Sequence, residues 1–179
     1  MIPLGSIIRL QVQVESLKIG DGARQRFDPA GIRTVDQVAL DDGGAWGITA
    51  DGARLADVHH RDHPRSKIRG TLNGISVGFT GHYAAMRGRF GEHLTDGAAA
   101  ETILIEHNGI MTAPELANGI IIQNATGQTI HLVEFAIADP CAPFSRHALQ
   151  FPDDKRPDRT VTEALQFLGD GMRGYYCRY

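Results

Sequence analysis

At 179 residues, with 42% apolar content, a net charge of −3 and two cysteines, the chain has room for one core and no need of a second domain. The near-balanced charge gives no footprint for nucleic acid or a membrane surface, no apolar run is long enough to span a bilayer, and two cysteines cannot build a disulfide framework. The start, Met1-Ile2-Pro3-Leu4-Gly5, lacks the basic, long-apolar pattern of a secretory leader, so a cytoplasmic location is expected.

Twenty-one glycines suit a turn-rich, mainly β fold. Ile8, Leu10, Val12 and Val14 alternate with polar residues as a half-buried first strand. A turn-rich loop carrying Lys18 follows. Asp41-Asp42-Gly43-Gly44 and Ala50-Asp51-Gly52 read as hairpin turns on either side of Trp46-Gly47-Ile48. Turns spaced so closely favour antiparallel hairpins over crossover helices.

His59-His60-Arg61-Asp62-His63-Pro64-Arg65-Ser66-Lys67-Ile68-Arg69 is the densest polar stretch. Its imidazoles and carboxylate are potential metal ligands, but the spacing matches no helix-borne zinc motif and Pro64 disfavours a helix. A solvated loop is the preferred reading. Arg61, Arg65, Lys67 and Arg69 could also form an anion-binding rim.

Ile75, Val77 and Phe79 alternate as a strand, and Thr80 is expected to cap a helix over 81–90 whose Tyr83, Met86 and Phe90 face the core. Ile103 and Ile105 mark another strand, with Glu101 at its entrance. A long alternating strand over 129–138 stops at Asp139-Pro140 because proline cannot donate to the ladder. Cys141 is thus presented at a strand end, in a loop held by Pro140 and Pro143. Arg146 is near enough in sequence to favour its thiolate or bind an anion beside it. The alternative is a small buried apolar residue. Thr160-x-x-Glu163 reads as a capping box for an amphipathic helix built on Val161, Ala164, Leu165 and Leu168, and a short strand over 174–177 closes the chain. Cys177 reads as structural.

Several of these segments, in this order, resemble bacterial MOSC-domain proteins. They are Ile75 to Tyr83, Met86-Arg87, Arg89-Phe90-Gly91, His93 to Gly97, Ala100 to Ile105, Pro140-Cys141 with Phe144-Ser145-Arg146, and the ending Leu165-x-x-Leu168-x-x-Gly171-x-Arg173-Gly174-Tyr175-Tyr176. The resemblance covers nearly the whole chain and implies one domain over 1–179: a mainly β (α+β) barrel with a few short helices. It implies that Cys141 matches the family cysteine, which in some members carries persulfide sulfur and in others ligates molybdenum in enzymes that reduce N-hydroxylated compounds. A molybdenum cofactor with a phosphate tail would need cationic or polar contacts, for which Lys18, Arg61, Lys67, Arg69, Thr102, Asp139 and Arg146 are the candidates. A cysteine desulfurase or a reductase would be the protein partner.

Two departures from the family pattern bear on this. The usual Gly-Glu-Asn reads Ala100-Glu101-Thr102, so a cofactor hydrogen bond from the asparagine amide is missing. Relatives continue past the position of Tyr179 into another strand, so either the barrel closes differently or a second subunit supplies the edge. Two further readings follow: a cofactor-free pathway enzyme using Glu101, His59, His60 or His63 as general acid or base on a small polar or anionic substrate, and a non-catalytic small-molecule binding module, monomeric or dimeric, with the arginine-rich loop as its anion site.

Overall fold

The computed structural model describes residues 3–66 and 72–179. Lys67 and Arg69 lie outside the described residues. The strands in chain order are β1 (Ile7–Gln13), β2 (Lys18–Ile19), β3 (Arg26–Phe27), β4 (Ile32–Thr34), β5 (Gln37–Asp41), β6 (Gly44–Ile48), β7 (Arg54–Ala56), β8 (Ile75–Phe79), β9 (Ile103–Ile105), β10 (Ile120–Gln123), β11 (Thr129–Ile137) and β12 (Tyr175–Arg178). Three α-helices accompany them: α1 (Thr80–Phe90), α2 (Ala142–Ala148) and α3 (Arg159–Leu168).

The mainly β, mixed expectation holds. The main sheet has seven strands in the order β10-β11-β12-β8-β9-β1-β4, and β5-β6-β7 form a separate meander. Both predicted hairpin turns are there, between β5 and β6 and between β6 and β7. Closure into a barrel is not: among the described residues the seven-stranded sheet is open, with β10 and β4 at its edges. All its pairings are antiparallel except β8–β9. A parallel pair needs a crossover connection, and α1 supplies it.

The alternation in β9 shows how the sheet is covered on both faces. Leu104 points into a cluster with Tyr83, Met86, Phe144 and Leu168, contributed by the three helices. Ile103 and Ile105 point the other way, against Val77, Phe79, Met111, Leu132 and Tyr175. Burying each large apolar side chain of this kind stabilises the fold by about 1.5–3 kcal/mol.

Three local expectations differ from what the chain does. Thr80 is the first residue of α1, not its cap, because its hydroxyl bridges the His107 N–H and carbonyl, both at 3.0 Å. Asp158, not Thr160, caps α3: its carboxylate accepts the Thr160 N–H at 2.9 Å, while Glu163 pairs with Arg159 at 2.8 Å. The segment after Cys141 is a helix, α2, because Pro143 falls in its first turn, where the missing N–H has no partner to lose.

Candidate functional site

β11 leaves the sheet after Ile137, and the Ala138 N–H makes a last pairing with the Gly174 carbonyl at 3.0 Å. Three residues on, Cys141 has extended backbone and occupies the cap of α2, its carbonyl accepting the Ser145 N–H at 3.0 Å and the Ser145 hydroxyl at 3.1 Å. Its side chain is half-buried and packs on the cluster that contains Leu17, Phe27, Tyr83 and Phe144. Arg173, just ahead of β12, ties both flanks of the cysteine. One guanidinium nitrogen donates to the Asp139 carbonyl at 3.1 Å, and the group lies over the Phe144 ring, 5.3 Å from its centroid. A cation over a ring in this arrangement contributes about 0.5–1 kcal/mol.

Beneath this lies Glu101, at 3% exposure. The Tyr83 hydroxyl donates to its carboxylate, 2.7 Å from Oε2 and 3.0 Å from Oε1, and accepts the Ala99 N–H at 2.9 Å. A Cβ on Gly78 would lie 2.6 Å from Oε1, so only glycine lets β8 pass this close. Burial pushes the Glu101 pKa up, against the Tyr83 hydrogen bond and the charge of Arg173. Burial, then the Glu101 charge, pushes the Tyr83 phenol well above its ordinary value. Glu101 is therefore enclosed and engaged, and no face of its carboxylate is presented to a substrate.

The remaining candidates spread over the molecule. Thr102 is buried, and its hydroxyl accepts the Ser76 N–H at 3.2 Å and meets the Ser76 hydroxyl at 3.3 Å. Arg146 is 3% exposed and turns away into the following loop, donating to the carbonyls of Pro152 at 3.0 Å and Asp153 at 3.2 Å. The Asp139 side chain is exposed, and Lys18 is exposed on β2.

His60 is fully buried under Trp46, with ring centroids 4.5 Å apart. Its Nδ1 accepts the Asp62 N–H at 3.0 Å, which places the proton on Nε2, 2.9 Å from Asp41 Oδ1. Burial works to raise the Asp41 carboxyl, but hydrogen bonds from Gly43, His60 and Trp46 outweigh it and hold it below the ordinary range. His59 Nδ1 lies 2.8 Å from buried Asp57, whose other oxygen accepts the Gln13 N–H. His63 Nδ1 accepts the Arg65 N–H at 3.1 Å. The polar loop is thus a hydrogen-bonded brace between the meander and β1. His59 and Arg61 also line a shallow cleft of about 260 Å³ with Asp41, Asp42 and Arg178.

Among the described residues, the expected cofactor contacts are spread over separate places. Arg61 faces this cleft and Arg146 borders another, neither is lined by Cys141, and the Thr102 hydroxyl is held by Ser76. Among the described residues, no three His, Cys, Asp or Glu side chains are placed to hold a metal ion. What the structure does bring together is Arg173, Glu101 and Tyr83, with Cys141 packed on the cluster that contains Tyr83. Arg173 and Tyr83 were not singled out in the sequence as site residues. The only signal for Arg173 was its place in the closing motif; Tyr83 carried only the helical spacing of a core residue.

A scan against protein-family models gives no match. No curated protein matches either. Among solved structures, the chain is similar to the YuaD protein from Bacillus subtilis, at 15% identity and a TM-score of 0.46, over 97% of this chain and 90% of that one.

Proposed function

We propose that this chain is a sulfur-carrying protein of the MOSC type, in which Cys141 accepts sulfur from a persulfide donor and passes it on. The observation that carries the reading is the setting of Cys141: half-exposed at the cap of α2, with the Arg173 guanidinium joined to Asp139 on one side and Phe144 on the other. Sulfur transfer requires an accessible thiolate and a fixed approach. The Cys141 thiolate attacks the outer sulfur of a donor persulfide, R–S–SH. The donor S–S bond breaks, R–S⁻ leaves with the bonding pair, and Cys141–S–SH remains. A persulfide-bearing cysteine desulfurase fits the role of donor.

The test is sulfur delivery from isotopically labelled cysteine, in the presence of a cysteine desulfurase. Label should accumulate on the native chain, and Cys141→Ser should abolish it. A serine variant that loads as well as the native chain would sink the reading. The resemblance also implies a second use of the same thiolate, ligation of molybdenum. Near-stoichiometric molybdenum in protein produced where the cofactor is available would move the assignment to reduction of N-hydroxylated compounds.

A further inference from the structure

A second cleft, of about 570 Å³, opens beside α2, lined by Arg26, Phe27, Pro143, His147, Phe151 and Asp153 among others. That volume lies within the usual range for small-molecule sites. Its floor is aromatic: the His147 ring centroid is 5.0 Å from that of Phe27 and 6.2 Å from that of Phe144. The neighbouring His93 is fixed, its Nε2 donating to the Ala148 carbonyl at 3.0 Å. His147 differs. Its imidazole is half-buried, yet among the described residues neither ring nitrogen has a hydrogen-bond partner in the protein. Burial, and then the nearby His93, push its pKa down, so at neutral pH it offers one N–H and no charge.

The charge at the mouth comes from Arg26. It pairs with Asp153 at 3.5 Å, and both side chains are more than half exposed. An ion pair that open is worth about 0–1 kcal/mol and exchanges readily for a better partner. The wall bearing Phe151 and Asp153 is held from below by Arg146, through the carbonyls of Pro152 and Asp153 and by lying over the Phe151 ring. An apolar aromatic floor, one unclaimed imidazole N–H and one weakly paired guanidinium therefore face the same space.

We propose that this cleft binds a small planar carboxylate, with its flat body against the Phe27 and Phe151 side and its carboxylate between Arg26 and His147. The ligand displaces Asp153 from Arg26. The site stands apart from Cys141 and does not depend on sulfur transfer.

Benzoate, benzamide and acetate separate the contributions, with binding read by calorimetry and by the ring resonances of His147. Benzoate should bind at least about tenfold tighter than benzamide, which lacks the charge, and than acetate, which lacks the ring. Arg26→Gln and His147→Ala should each weaken benzoate by about fivefold or more. Asp153→Asn should tighten it, because it removes the competing carboxylate. Cys141→Ser should leave binding unchanged, so this site and the sulfur reading fail separately. Absence of benzoate binding at millimolar concentration, equal binding of benzamide, or weaker binding by the Asp153→Asn chain would overturn the proposal.

Discussion

Cys141 and Cys177 are the same side chain in opposite settings. Cys141 is half-exposed at the cap of α2, whereas Cys177 is buried on β12, where burial pushes its thiol pKa up to about 12. Iodoacetamide at mildly alkaline pH should therefore modify Cys141 alone, with Cys177 reacting only after unfolding; peptide mapping reads the outcome, and comparable rates at the two sites would contradict it. Tyr83→Phe should cost about 1–3 kcal/mol in denaturant unfolding, because it strands both the Glu101 carboxylate and the Ala99 N–H in the interior. Glu101 itself has a raised pKa in the folded chain, so the native state binds the extra proton. Its stabilising effect is fully present below its ordinary value of 4.5 and is lost as pH rises through the folded value. Glu101→Gln should remove that slope, and its stability relative to the native chain should improve as pH climbs above 4.5. At this scale the sequence was readable for the place of Cys141, just past the end of β11, which follows from Asp139-Pro140; its half-buried setting was not. It was not readable for Thr102 or Arg146. Their polar groups are claimed by Ser76 and by backbone carbonyls that only the tertiary fold brings near. Ala100 has φ +66°, in the left-handed region that glycine adopts freely.

The elements were legible wherever periodicity and turn chemistry agreed. The positions of β1, β8 and β11, the glycine turns of the meander and the apolar faces of α1 and α3 follow from residue spacing, although on β1 Ile8 is exposed and Gln11 buried, against the expected alternation. α2 was not legible, because two prolines in four residues read as a loop until one is placed in the first helical turn. α1 also carries a prediction of its own. His82 anchors it to the opposite face of the sheet: its Nε2 lies 2.9 Å from the Met111 N–H and 3.1 Å from the Met111 carbonyl. Burial pushes the His82 pKa down. The stability it contributes is present above its ordinary value of 6.5 and is lost as pH falls through the folded value. The melting temperature should therefore fall between pH 7 and pH 5, and His82→Gln should flatten that fall. An equally steep decline in the variant would assign it to another group. On β8, Gly78→Ala should destabilise by about 1–3 kcal/mol, since the added methyl meets the Glu101 carboxylate and neither can withdraw.

For the whole molecule, the sheet buries apolar side chains on both faces, against the helices on one side and against Met111, Ala113 and Leu116 of the following turn on the other. The sequence could indicate a β-rich chain with short helices, but not whether the sheet closes. Closure depends on strand order and register, and neither the β8–β9 parallel pairing nor the β4 and β10 edges leave a local mark. No helix among the described residues is long and apolar enough to cross a membrane. The open sheet brings the end of β11 and the start of β12 together, so that Arg173 meets Asp139 and Phe144 across a long sequence separation. The proposed function turns on what the cysteine between them does. The most direct test is intact-protein mass spectrometry, followed by peptide mapping, after incubation with a persulfide-bearing desulfurase. One added sulfur is expected, removed by reductant and mapped to Cys141, with none on Cys177 and none in Cys141→Ser. No added sulfur on the native chain, or equal loading of the serine variant, would contradict it.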